Sequence, residues 1–288
     1  MKIFYYFKII LRGFSQVMLQ NNLITGVLFL FGIAYNSWAL ALGALLGNII
    51  STSFAYLVKI KKEDIEQGLY GFNGVLVGIA MFVFFQINWL LIIFLIIGSA
   101  LSTVIMQFMS NKKLFPYTFP FILSTWILLL VIKIFSLVPV AATSSVIETK
   151  LNILSALSMG VGQVMFQGNI ITGIIFLIAI FISSRKAGLL AFLGTLLGLT
   201  VAYACSWSMS LVNIGIFGYN AVLCGIGFNF KQRITVLYAV VAIILSIFIV
   251  DFFIQAEITA LTAPFVFAMW LVIGLQKLLP EKYQISFF

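Results

Sequence analysis

The chain has 288 residues, of which 63% are hydrophobic and 8% charged, with a mean hydropathy of +1.21; a soluble domain typically carries about a quarter charged residues. This is the composition of a membrane protein. The formal net charge of +9 does not point to nucleic acid, because the basic residues sit in short loops beside apolar runs, where they set orientation in a bilayer.

The start, Met1 to Phe14, is basic and aromatic and lacks a small-residue cleavage site. It reads as a retained amphipathic lead-in at the membrane surface rather than a signal peptide. Ten hydrophobic segments follow, at 22–35, 39–57, 69–86, 90–108, 117–136, 170–182, 188–206, 215–230, 235–253 and 262–276. They lack the alternation of barrel strands, so the expected fold is an all-α integral membrane protein, with some helices short or broken by Gly, Pro and Asn. Five segments per half is an odd number. A second half built like the first then enters the membrane from the opposite face, giving two inverted repeats. The expected division is 1–140 for the first repeat, 141–150 for an external linker and 151–288 for the second repeat.

Internal repetition supports that division. Of the fifteen positions from Arg12 to Gly26, nine recur 147 residues later, in Met159 to Gly173. The stretch Gly68 to Gly78 keeps six of eleven identities at the same offset in Gly215 to Gly225. A third pair, Thr118-Phe-Pro-Phe and Thr262-Ala-Pro-Phe, lies at offset 144.

Each pair carries uncharged hydrogen-bonding chemistry. Gln16 and Gln20, like Gln163 and Gln167, share a face if the stretch is helical. We assign solute contact to Gln16 and Gln163 and a structural role to Gln20 and Gln167; polar glue between helices is the blander reading. Phe72 with Leu76, and Tyr219 with Leu223, stand four apart; spacing alone favours ordinary packing for them. Asn73 and Asn220 are expected to fix a broken helix. Pro120 and Pro264 cannot donate to the carbonyl four residues back, which at Pro264 would free the carbonyl of Ala260, and a simple kink is the equal alternative.

Ionisable groups at membrane depth would signal ion coupling, but the chain has no His and only seven acids. Six of these lie in loops (Glu63, Asp64, Glu66, Glu148) or near external helix ends (Asp251, Glu257). Cys205 and Cys224 read as small buried hydrophobes, so neither disulfide nor metal site is expected. No catalytic constellation and no cofactor are expected either. Fourteen of the sixteen Lys and Arg fall on one predicted face, leaving Lys133 and Lys150 on the other; both termini are then cytoplasmic and Leu137 to Lys150 external. Short loops suggest a bacterial plasma (inner) membrane.

With these motifs assembled, the sequence resembles the urea transporter family. Gln-Val-Met and Asn22 to Gly26 carry the resemblance in the first half, Gln163 to Gln167 in the second, and the Gly-x-x-Gly-aromatic-Asn and Thr-x-Pro-Phe pairs in both. The resemblance implies a homotrimer with one pore per protomer, through which dehydrated urea passes in single file down its gradient. It further implies that Gln16 and Gln163 bond urea and that Val17, Leu19, Phe72 and Leu76 wall one slot. Val164, Phe166, Tyr219 and Leu223 would wall the other, with Thr118 and Thr262 at the centre. Leu19 departs from the family's usual Phe, and Tyr219 adds a hydroxyl to an apolar wall; either could widen selectivity. The alternatives are a channel for short amides, ammonia or water, an integral-membrane enzyme, and a bundle without transport.

Overall fold

The computed structural model describes residues 2–142, 149–228 and 234–278. Most of the expected linker lies outside them, as do Glu148, Lys231, Arg233 and Lys282. The chain divides into two compact units at residues 145/146.

The first unit comprises α1 (Lys2–Gln16), α2 (Leu23–Asn36), α3 (Trp38–Leu57), α4 (Lys62–Glu66), α5 (Phe72–Phe84), α6 (Trp89–Asn111) and α7 (Phe119–Phe135). The second repeats the order with α8 (Ile153–Gly162), a 3-10 turn at Gln163–Met165, α9 (Ile170–Ser183), α10 (Arg185–Ala204), α11 (Met209–Asn213), α12 (Tyr219–Ile226), α13 (Ile234–Gln255) and α14 (Ala263–Gln276). All regular elements among the described residues are helical; one isolated bridge joins Phe85 to Val140.

Four helices, α3, α6, α10 and α13, are long and apolar enough to cross a bilayer, so this is a multi-pass membrane protein. α2, α5, α7 and α14 have 14, 13, 17 and 14 residues. At about 1.5 Å per residue they fall short of a hydrocarbon core about 30 Å thick. α8 with its 3-10 turn runs into α9 across a 73° bend.

Local chemistry sets these boundaries. Asn22 and Asn169 stand at the same place in the repeat, and the side chain of each caps the following helix, accepting from Thr25 N at 3.1 Å and from Thr172 N at 3.1 Å. Ser37 and Ser184 cap α3 and α10 in the same way, each at 3.3 Å. A polar oxygen just before an apolar run satisfies first-turn N–H groups that otherwise lack acceptors. Phe14, Phe29 and Phe121 are fully buried in the first unit, and Phe176, Phe217 and Phe265 nearly or fully so in the second.

Two expectations need correcting. α1 is no mere surface lead-in: Phe4 and Phe7 are exposed, but Ile9, Ile10, Leu11 and Phe14 enter the core. Gly68 explains why they can. Its φ of +78° suits glycine, and a Cβ there would stand 2.5 Å from the backbone nitrogen of Gly13. Gly215, with φ of +76°, meets Gly160 N in the second unit in the same manner. Cys205, expected to be buried, is exposed at the end of α10, whereas Cys224 is buried.

Candidate functional site

The repeated glutamine stretches do not form continuous helix. α1 ends at Gln16, whose carbonyl accepts from Leu19 N at 2.9 Å; the carbonyl of Gln163 accepts from Phe166 N at 3.0 Å. Leu19 and Phe166 are left-handed, with φ of 56° and 59°, a conformation that costs a residue with a Cβ about 1–2 kcal/mol. The expectation of one shared helix face for each Gln pair is therefore wrong. Gln20 and Gln167 lie beyond the turn, and each donates its Nε2 to the carbonyl two residues back, Met18 at 2.8 Å and Met165 at 2.5 Å. They hold the turn.

The two remaining glutamines differ. Gln16 is buried and donates its Nε2 to the carbonyl of Gln67 at 3.0 Å, which leaves its Oε1 as an acceptor. Gln163 is half-buried, and its side chain makes no hydrogen bond among the described residues. Around Gln16, Val17 is fully buried and Leu19 half-buried; around Gln163, Val164 is 1% exposed and Phe166 half-buried.

Phe72 and Leu76 lie one turn apart on α5, as do Tyr219 and Leu223 on α12. Leu76 and Leu223 present no surface to solvent, and Phe72 and Tyr219 little. The Tyr219 hydroxyl is already engaged, donating to the carbonyl of Leu261 at 2.6 Å.

The Thr-x-Pro-Phe stretches prove to be helix starts rather than kinks. Pro120 and Pro264 occupy the second position of α7 and α14, where no intrahelical acceptor awaits an N–H. The carbonyl of Ala260 is not freed: it accepts from Ala263 N at 3.0 Å.

Every first-turn donor of the two helices can be accounted for. Phe119 N and Ala263 N bond the carbonyls of Pro116 and Ala260, at 2.9 and 3.0 Å. The prolines have no N–H. Phe121 N and Phe265 N are capped from another helix, by the side-chain oxygens of Asn73 at 3.1 Å and Asn220 at 3.0 Å. Ile122 N and Val266 N return to the carbonyls of Thr118 and Thr262. The threonine hydroxyls are thus not used as caps. Both threonines are buried, 1% and 2% exposed.

Within each unit these links bring the candidate residues together. In the first, Gln16 reaches the segment leading into α5, and Asn73 of α5 reaches the start of α7. In the second, Gly218 lies so close to Gly160 that a Cβ would stand 2.9 Å from its Cα, and Tyr219 and Asn220 both reach the carbonyl of Leu261.

One pair escaped sequence comparison. Asn48 Nδ2 donates to the carbonyl of Ile10 at 2.8 Å, and Thr195 Oγ1 to that of Leu157 at 3.0 Å. Both donors and both acceptors stand 147 residues apart, so the repeat preserves the bond while changing the side chain. No group of His, Cys, Asp and Glu among the described residues could hold a metal.

The family model described as "Urea transporter" matches residues 7–277. The chain belongs to the urea transporter family. It is 32% identical over 237 residues to Urea transporter 1 of Mus musculus, and 31% to those of Rattus norvegicus and Ovis aries. Each match covers 74% of this chain and 60% of the relative, so the chain matches well under two thirds of those proteins' length. The family's extent takes in both Gln-containing turns, both Gly-x-x-Gly-aromatic-Asn stretches and both Thr-x-Pro-Phe helix starts.

Proposed function

We propose that the protein conducts urea passively across the membrane, down its gradient. The observation that carries this reading is the repeated turn in which a glutamine carboxamide stands before a strained, left-handed Leu19 or Phe166. Left-handed backbone recurs at equivalent places elsewhere, in Lys59 with Ser206, Lys113 with Glu257 and Tyr117 with Leu261; what sets this pair apart is the carboxamide that precedes it in both halves. In this reading Gln16 accepts an N–H of urea at Oε1, and Gln163 offers both its donors and its acceptor. Val17, Leu19, Phe72 and Leu76 wall one slot, and Val164, Phe166, Tyr219 and Leu223 the other. Thr118 and Thr262 supply hydroxyls between them.

Neutral amides and hydroxyls bind a dipolar solute strongly enough to admit it and weakly enough to release it. They give cations no counter-charge. The two halves are inverted repeats of five hydrophobic helical segments each, with pore-lining helices that are short or broken, and both termini are cytoplasmic, as the Lys and Arg distribution predicts. The working unit is a homotrimer in the plasma membrane with one pore per protomer, as the family resemblance implies.

The test is urea-driven volume change of liposomes containing the purified protein, followed by light scattering with and without a proton gradient. Flux above that of empty liposomes, insensitive to the gradient, is expected. No flux above the control refutes urea conduction, and gradient-driven accumulation refutes passivity. Gln163→Leu should abolish the flux while leaving the fold intact; unchanged flux would show that the Gln163 side chain takes no part in the passage of urea.

A further inference from the structure

The junction between α9 and α10 holds a crevice of about 560 Å³ lined by Ile178, Phe181, Ile182, Arg185 and Leu189. Its apolar wall packs firmly: the ring of Phe181 lies over Gly188, where a Cβ would meet it at 2.5 Å. Arg185 stands at its mouth with Lys186 beside it, both exposed. Among the described residues the ion pair is Lys62 with Glu66, and neither Arg185 nor Lys186 joins one.

The repeat supplies an internal comparison. The related crevice in the first unit is lined in part by Phe31, Ala34, Trp38 and Leu42, the positions 147 residues before Ile178, Phe181, Arg185 and Leu189. There the mouth carries Trp38, 76% exposed, and Ala39 in place of Lys186. Tryptophan suits the headgroup level of any bilayer, whereas a pair of unpartnered cations over an apolar crevice discriminates by charge.

The geometry points to a binding site for an anionic phospholipid in the second crevice, its phosphate on Arg185 and Lys186 and one acyl chain along Ile178, Phe181 and Leu189. Since α10 has 20 residues, enough to cross the hydrocarbon core, its first turn lies at the level of the headgroups. Charge complementarity favours lipid over a second copy of this chain as the occupant. The sequence has sixteen Lys and Arg against seven acids, so a second copy brings mostly cations to a cationic mouth.

Native mass spectrometry of the full chain, titrated with phosphatidylglycerol and phosphatidylcholine of identical acyl chains, tests the assignment. A basic residue near an anionic surface strengthens binding about fivefold, so losing both weakens the tightest phosphatidylglycerol site roughly 30-fold. Arg185→Gln with Lys186→Gln should show that loss and leave phosphatidylcholine unaffected. Lys112→Gln with Lys113→Gln removes the same charge from another loop and should leave the site intact. Ile178→Trp fills the crevice at an exposed position and should weaken both lipids. Equal losses in the two charge variants, or wild-type binding of both lipids by Ile178→Trp, would overturn the proposal. Glycerol phosphate binding as tightly as the lipid would also overturn it, by removing the crevice from the site. So would a change of oligomeric state in the Arg185 and Lys186 variant with lipid retention unchanged, which would assign the crevice to a second copy.

Discussion

The caps from Asn73 and Asn220 predict unequal stability losses at two positions whose sequence contexts look alike. Asn220 makes two bonds: its oxygen accepts from Phe265 N at 3.0 Å, and its Nδ2 donates to the Leu261 carbonyl at 3.4 Å. Asn73 makes one, accepting from Phe121 N at 3.1 Å, and its Nδ2 is buried without a partner. Asn→Leu at either place orphans a buried backbone N–H, costing about 1–3 kcal/mol. At Asn220 it also removes a weak bond to Leu261, whose carbonyl keeps the Tyr219 hydroxyl. At Asn73 it removes a desolvated donor that had no partner, which offsets about 1–3 kcal/mol of the loss. Asn220→Leu should therefore destabilise by about 2–4 kcal/mol and Asn73→Leu by about 1 kcal/mol or less. Equilibrium unfolding in mixed micelles, followed by tryptophan fluorescence, measures both. If Asn73→Leu proves as costly as Asn220→Leu, the trans-cap account of the difference between the halves is wrong.

Removing the Tyr219 hydroxyl by Tyr219→Phe should cost about 0.5–1.5 kcal/mol and leave urea selectivity unchanged in solute-flux assays, because that hydroxyl is spent on the Leu261 carbonyl. Gly68→Ala should lose more than about 2 kcal/mol in the same unfolding assay, since left-handed backbone penalises a Cβ that also has no room beside Gly13. Leu19→Phe, copying Phe166, should lower the permeability of acetamide relative to urea in liposomes. The contact of α1 with α4 should depend on pH. Arg12 donates to the Glu66 carbonyl at 2.8 Å. The Tyr5 hydroxyl foremost, with Lys62 and Arg12, holds the Glu66 carboxyl below its ordinary value, and the same bond raises Tyr5 to about 12. A depressed carboxyl contributes stability above the ordinary carboxylate range and loses it as pH falls through the folded value. A raised phenol contributes below its ordinary value and loses it as pH rises through about 12. The protection of α4 amides, as the exchange rate corrected for the intrinsic pH dependence of amide exchange, should fall below the carboxylate range and stay level between pH 6 and 9; Glu66→Gln should remove the acid step.

What could be read from the sequence was whatever the repeat conserves as identity. Gln16 with Gln163, Asn73 with Asn220 and the Thr-x-Pro-Phe pair were found because the same letters recur, and the apolar runs announced an all-helical membrane protein. Conformation without a matching residue type was illegible. Leu19 and Phe166 adopt a left-handed turn that Gly or Asn would have announced, and neither is either. For that reason the Gln pairs looked like one helix face. The prolines were read against a helix that has not yet begun, since a motif alone does not say whether Pro stands at the second position or in the interior. Asn48 and Thr195 were invisible because the repeat keeps a donor there and not a residue.

The strained turn offers the sharpest separation of stability from conduction. Phe166 keeps its ring at a backbone angle that glycine adopts without penalty, in a chain with 22 glycines elsewhere. Phe166→Gly relieves about 1–2 kcal/mol of left-handed strain. It adds about 0.5–1 kcal/mol of unfolded-chain entropy to overcome and forfeits about 1 kcal/mol from a ring only half-buried. These contributions nearly cancel, leaving stability within about 1 kcal/mol of the wild type. Whatever then happens to flux reports on the ring and not on the fold. If Phe166 walls a slot, the variant unfolds at the wild-type midpoint but admits acetamide and methylurea alongside urea. If solute selectivity in liposomes is unchanged while stability is also unchanged, the strained phenylalanine has no part in the passage of solute, and the wall assigned to Phe166 must be built from other residues.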